Sequence, residues 1–188
     1  MKLLGISGSL RRGSYNTGLL RAAAELVCDG VELELFDGLK AVPPYDEDDD
    51  GPEAPAAVTR LREAIAAADG VLLATPEYNS SVPGQLKNAL DWVSRPIATN
   101  PLRNKPVAVV GASTGAFGAV WAQAELRKVA GALGACVLDR ELPVALAASR
   151  FDDDGRLVDE ETRARLAEVL EELVAAVEAR RASLAAVS

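Results

Sequence analysis

Histidine is absent from this chain of 188 residues. That absence removes Ser-His-Asp and Cys-His catalysis, His-ligated zinc, and any imidazole acting as acid or base. Cysteine is scarce as well. Cys28 and Cys136 stand apart with no Cys-x-x-Cys spacing, which reads as two reduced thiols of a cytoplasmic protein with a structural rather than a catalytic role. Apolar runs such as "VLLAT" and "VAVVGA" fall far short of the ~20 residues needed to span a bilayer. The opening run has no basic segment ahead of it, so no signal peptide is expected. Positive charge is in deficit. The net charge of -8 argues against nucleic acid or an anionic membrane as the main partner. It leaves room for an anionic ligand at a local positive site.

What is present describes a globular domain. Hydrophobic residues make up 49% and charged residues 26%, a balance that supports a packed core rather than disorder. Residues 1–188 read as one domain, with no repeats and no linker. Apolar runs at 2–7, 31–36, 70–75, 105–112 and 135–139 read as five strands, most without polar alternation. Such runs suit strands covered on both faces of a parallel sheet. Helical spacing fills the gaps: from Asn16 to about Val27, then about 55–68, 84–93, 118–133 and 159–182. The first places Leu19, Leu20, Ala23, Leu26 and Val27 on one side. The last puts Leu166, Val169, Leu170, Leu173, Val174 and Val177 on a single stripe. Alternating strands and helices imply right-handed crossovers and a three-layer α/β/α sandwich with sheet order 2-1-3-4-5.

Two acidic stretches are read as structural. "YDEDDDG" (Tyr45–Gly51) is a solvated loop in preference to a metal site. In "RFDDDGRLVDEE", Asp152, Asp154, Gly155 and Glu161 fit a calcium loop, yet its first ligand position is Arg150. A guanidinium there competes with the ion, so a tight turn entering a helix capped by Asp159 is expected.

Ligands of open parallel sheets bind beyond the carboxyl ends of the strands, and three unusual loops follow the first, third and fourth strands. In "GSLRRGSYN", Gly8 and Gly13 have the spacing of a triphosphate loop, but Ser14 and Tyr15 follow where Lys and Ser/Thr belong. Ser9, Arg11, Ser14 and Asn16 place donors just before a helix start, which favours an anion; Ser14 or Asn16 serves equally as a plain cap. In "TPEYNSSVPGQLKNALDW", Tyr78-Asn79-Ser80-Ser81 forms a polar loop whose backbone and side chains suit the edge of a flat heterocycle. An ordinary strand-to-helix turn is the alternative. In "VVGASTGAFG", Gly111 to Gly115 matches the Gly-x-Ser-x-Gly nucleophile elbow. Without histidine, however, no base activates Ser113. A small-residue loop that lets a planar ligand approach the backbone is the better reading.

Together, "GISGSLRRGSYN", "TPEYNSSVPGQLKNALDW" and "GASTGAFGAVWAQAELR" resemble the NAD(P)H-dependent FMN reductase family, in particular its chromate/quinone reductase-like branch. The resemblance spans roughly residues 1–180 and implies a flavodoxin-like fold with noncovalently held FMN in homodimers or homotetramers. It implies that Ser9, Arg11, Ser14, Asn16 and Thr17 hold the ribityl phosphate. Pro76, Glu77, Tyr78 and Asn79 then line the isoalloxazine ring, with Ser113 and its neighbouring glycine loop on the pyrimidine side. A single phosphate explains the missing lysine.

The implied cycle passes a hydride from NADPH or NADH to the flavin. A small-molecule acceptor (quinone, chromate, an azo or nitro compound, or free flavin) is then reduced with no obligatory protein acid or base. A non-enzymatic electron carrier like flavodoxin is the runner-up, and a flavin-lacking relative the third reading. Two departures stand out: family members often carry Gly where this chain has Ser80, and many have a Gly pair where Thr114 to Phe117 reads "TGAF". Tyr78 and the loop from Lys40 to Asp46 are candidates to border the substrate face. Trp92 and Trp121 are read either as core or as subunit interface.

Overall fold

The computed structural model describes residues 1–186; Val187 and Ser188, the end of the expected domain, lie outside the described residues. β1 (Lys2–Ser7), β2 (Glu32–Phe36), β3 (Gly70–Ala74) and β4 (Pro106–Ala112) are all parallel. The sheet runs β2-β1-β3-β4-β5, where β5 is Cys136–Val137. β3 and β4 are buried along their whole length. Their side chains alternate between two faces that are both apolar, the condition that produces unbroken hydrophobic runs. Leu72 and Val110 face α1 (Tyr15–Leu26) and α5 (Glu160–Ala185). Val71, Leu73 and Val109 face α2 (Ala56–Ala67), α3 (Gly84–Val93) and α4 (Val120–Ala132). β2 lies at the edge and carries exposed Glu32 and Glu34, so its alternation is visible.

The fifth position of the sheet differs from expectation. A single strand over 135–139 is replaced by two short ones. β5 pairs with the start of β4, and β6 (Leu142–Val144) pairs with its end, Val110 opposite Leu142. Asp139, Arg140 and Glu141 separate them, and all three are exposed; an unbroken strand would carry that charge along the sheet. β6 tolerates Pro143 because it is an edge strand.

Asp159 caps α5, accepting the Thr162 N–H at 2.9 Å, and pairs with Arg150 at 2.6 Å. The calcium-like stretch is therefore a turn, closed by the bridge between Phe151 and Leu157. Among the described residues no group of three or more His, Cys, Asp or Glu is placed to hold a metal ion, and no helix is long and apolar enough to cross a membrane. Cys28 and Cys136 are both exposed, and Cys136 lies in β5, paired with Pro106. Trp92 is fully buried and its Nε1–H donates to the Pro43 carbonyl at 2.9 Å, so of its two readings core packing is the one observed. Tyr45 meets it edge-on at 5.0 Å. The segment from Lys40 to Tyr45 is fastened to α3, with the Gln85 amide donating to Leu39 and Val42 and that of Asn88 to Pro43.

Candidate cofactor-binding site

The three loops converge at the carboxyl ends of β1, β3 and β4. Ser9, Arg11, Ser14, Asn16, Pro76, Glu77, Tyr78 and Ser113 line one open cleft together with Tyr15, Ala112 and Thr114. Thr17 and Asn79 stand outside that lining. The chain turns out of β1 through Gly8, whose N–H donates to Ala74 at 2.8 Å. A Cβ at Gly8 would lie 2.8 Å from a Leu86 methyl, so only glycine lets the first loop pass this close to α3.

Ser14 begins α1 as its cap, accepting the Thr17 N–H at 3.3 Å. Thr17 itself turns inward: its hydroxyl donates to Ser7 Oγ at 3.0 Å, behind the loop. Asn16 is also occupied. Its Nδ2 donates to the Ala112 carbonyl and its Oδ1 accepts the Ala112 N–H, both at 2.9 Å. The side chains of Asn16 and Thr17 thus each tie the loop to its neighbours. What the helix start does offer is main chain. Among the described residues, the N–H groups of Tyr15 and Asn16 meet no protein acceptor, and they sit at the positive end of the α1 dipole. Arg11 is exposed, lies 5.1 Å over the Tyr15 ring and forms no ion pair among the described residues. An anion entering here meets two free amides and a free guanidinium. Arg12 lines a neighbouring cleft with Arg21 and Asp152–Gly155, which shares Ser14 and Tyr15 with the first.

In the second loop, the N–H groups of Tyr78 and Ser81 each donate to the other's carbonyl at 3.1 Å. Asn79 (φ 52°) and Ser80 (φ 61°) form the two-residue link. Positive φ at both central positions defines a type I′ turn, where the second position favours glycine. The glycine expected after "PEYN" therefore has a backbone reason, and Ser80 occupies a strained position. Tyr78 is half exposed at the cleft wall. Glu77 sends its carboxylate away from the turn: Oε2 accepts the N–H groups of Trp121 and Ala122, both at 3.1 Å.

The third loop leaves β4 at Ser113, whose N–H donates to Val144 at 3.0 Å and whose Oγ accepts the Gly115 N–H at 3.1 Å. No base is in contact with Ser113 among the described residues, so the hydrolase elbow is formal only. Gly118 (φ +60°) closes the loop against β6, where a Cβ would come within 2.6 Å of the Pro143 carbonyl carbon. Phe117 and Trp121 are exposed, with ring centroids 4.9 Å apart and planes tilted by 59°.

Residues 1–149 match the family described as NADPH-dependent FMN reductase. The chain belongs to that family. An NAD(P)H-dependent FMN reductase of Pseudomonas aeruginosa is 46% identical over 174 residues, covering 92% of this chain and 93% of the relative. A 2-hydroxy-1,4-benzoquinone reductase of Burkholderia is 38% identical over 182 residues, covering 96% and 98%. Among solved structures, the flavoenzyme NAD(P)H:(acceptor) oxidoreductase FerB of Paracoccus denitrificans superposes with a TM-score of 0.85 at 35% identity, covering 94% of this chain and 97% of that one. The expected flavodoxin-like architecture and flavin cofactor therefore hold. Membership makes the chain an oxidoreductase of the FMN-dependent kind.

The sequence did not mark Tyr15 or Ala112, which also line the cleft. Tyr15 is the one with a readable signal, an aromatic residue directly after the helix cap. Ala112 takes part through its backbone, which no side-chain pattern announces.

Proposed function

We propose that the protein is one domain holding FMN in the cleft and using NADPH or NADH to reduce a small-molecule acceptor, foremost a quinone. The carrying observation is the helix start, where Tyr15 and Asn16, whose N–H groups meet no acceptor among the described residues, line the same opening as Arg11, which forms no ion pair among them. These donors fit one phosphate and leave nothing aimed at a second. Ser9, Arg11 and Ser14 hold that phosphate, while Asn16 contributes its main chain and Thr17 braces the loop. Pro76, Glu77, Tyr78 and Asn79 present their backbone and the Tyr78 ring to the heterocycle, with Ser113 opposite. When bound, FMN accepts a hydride from nicotinamide and returns electrons to the acceptor. The chain's own part is to bind, orient and leave one side of the cleft open.

Quinone is favoured because relatives along nearly the whole chain carry that activity in their names; chromate, azo and nitro compounds and free flavin are secondary acceptors. We further place the protein in the cytoplasm as a homodimer or homotetramer, an assembly supported by the exposed Phe117–Trp121 pair beside the cleft. The deciding experiment is the absorbance spectrum of the purified protein without oxygen. Flavin bands that bleach on adding NADPH and return on adding benzoquinone support the reading. Bands untouched by NADPH and NADH favour a one-electron carrier, and a protein that takes up no FMN overturns the assignment.

A further inference from the structure

α4 begins without a cap of its own. The residue before it, Ala119, has φ +62° and no side-chain acceptor, so the first N–H groups of the helix need a partner from elsewhere. Glu77 supplies it, with one oxygen accepting from both Trp121 and Ala122. One turn further along α4, Glu125 reaches back. Its Oε2 accepts the Ser81 hydroxyl at 2.6 Å and the Val82 N–H at 3.4 Å. Each segment therefore lends the other a carboxylate. Between Glu77 and Ser81 the type I′ turn closes on itself through the paired Tyr78 and Ser81 bonds. The result is a closed ring of bonds through residues 77–82 and 121–125. Carboxylates at helix starts make charge-assisted bonds, stronger than neutral ones.

We propose that Glu77 and Glu125 are positioning residues that lock the loop over 76–82 to the first turns of α4, which follow directly on the loop over 113–119, so fixing the width of the cleft between the two loops. The Glu77 side chain acts on the cofactor through α4, because its Oε2 is committed to two amides. The inference rests on the reading of the cleft as the FMN site, and its test separates the two.

The first readout needs no flavin. In the apoprotein carrying Glu77→Ala, hydrogen exchange should speed up at the amides of 121 and 122 and, together with them, at 78–82. Acceleration confined to 121 and 122 would show a simple helix cap and overturn the lock. The second readout is FMN affinity. Glu77→Ala and Glu125→Ala each raise the dissociation constant about tenfold, the double variant adds little more, and Glu77→Gln, which keeps an acceptor, stays within about threefold of the parent. Asp69→Ala removes the bonds to the Lys2 N–H and Arg181 at the amino ends of β1 and β3, the end of the sheet opposite the cleft, and serves as the control for stability alone, leaving FMN affinity unchanged. If Glu77→Ala does not fold, Glu125→Ala carries both readouts. A folded Glu125→Ala or Glu77→Ala protein with parental FMN affinity sinks the proposal. A parent protein that binds no FMN sinks the cleft reading instead, while the exchange result still judges the lock.

Discussion

The side-chain amide of Asn16 and the main-chain amide of Ala112 exchange two hydrogen bonds, each 2.9 Å long, across 96 residues of sequence. Both residues are buried. The pair copies the bonding of a strand ladder and fastens the start of α1 to the end of β4. The anion-binding donors of the first loop thereby take a fixed position relative to the Ser113 loop.

Removing that clamp leaves a buried N–H and a buried C=O without partners. Each such loss costs about 1–3 kcal/mol, so Asn16→Ala is expected to lower unfolding free energy by about 3 kcal/mol in urea titrations. Asn16→Asp is the sharper variant. A carboxylate still accepts the Ala112 N–H but turns its second oxygen toward the Ala112 carbonyl. The folded state then favours the protonated acid, so this variant should regain stability as pH falls. Equal loss for Asp and Ala at every pH would count against the clamp.

Arg11 predicts the opposite pattern. It is exposed, and its contact with the protein is the Tyr15 ring at 5.1 Å, so Arg11→Ala should change stability by no more than about 0.5 kcal/mol. Loss of a charge-assisted bond to phosphate, about 1.5–3 kcal/mol, should weaken FMN binding roughly tenfold to a hundredfold. Fluorescence titration with FMN and a thermal melt separate the two effects. Parental FMN affinity would remove Arg11 from the phosphate site.

Legibility in the sequence followed burial. β3 and β4 were readable because helices cover both faces, which makes every position apolar. β6 was not, since three residues with a proline between them carry no period. At the site, residue types that advertise donors were legible, but the partners that three of them take within the protein were not. Asn16 is satisfied 96 residues away and Glu77 44 residues away, in both cases by backbone; Thr17 is satisfied by Ser7 beneath the loop. A side chain's partner in the main chain of another segment leaves no mark on spacing. Ser80 is the converse case: its departure from the family pattern was visible, and the turn geometry supplies the reason.

That geometry makes Ser80→Gly a stabilising change. A non-glycine residue in the left-handed region costs about 1–2 kcal/mol, partly offset by the greater freedom of glycine in the unfolded chain. A net gain of about 0.5–1 kcal/mol is expected, a rise in Tm of roughly 2 °C for a chain of this size. Asn79→Gly should gain less, because asparagine tolerates this conformation. Calorimetry on both variants decides it; equal or reversed gains would show that Ser80 is not strained.

Lys105 gives the pH dependence. It lies just before β4, buried at 4% exposure, and its Nζ donates to the carbonyls of Ile65, Ala66 and Ala68 where α2 ends. Burial lowers its pKa from 10.5 to about 8; Arg180 acts in the same direction and Asp69 against it. Between those two values the unfolded chain keeps a proton that the folded chain has released. Unfolding then takes up protons, and stability attributable to this group rises with pH by up to about 1.4 kcal/mol per unit. Below about pH 8 both states are protonated and the contribution is flat. Lys105→Met keeps the stem packed but cannot titrate. The difference in unfolding free energy between parent and Lys105→Met should therefore stay constant from pH 6.5 to 7.5 and move in favour of the parent from about pH 8 to 10.5. Other titrations cancel in that difference. Urea curves that run parallel through the alkaline range would place the Lys105 ammonium at its ordinary pKa, held by the three carbonyls against the effect of burial.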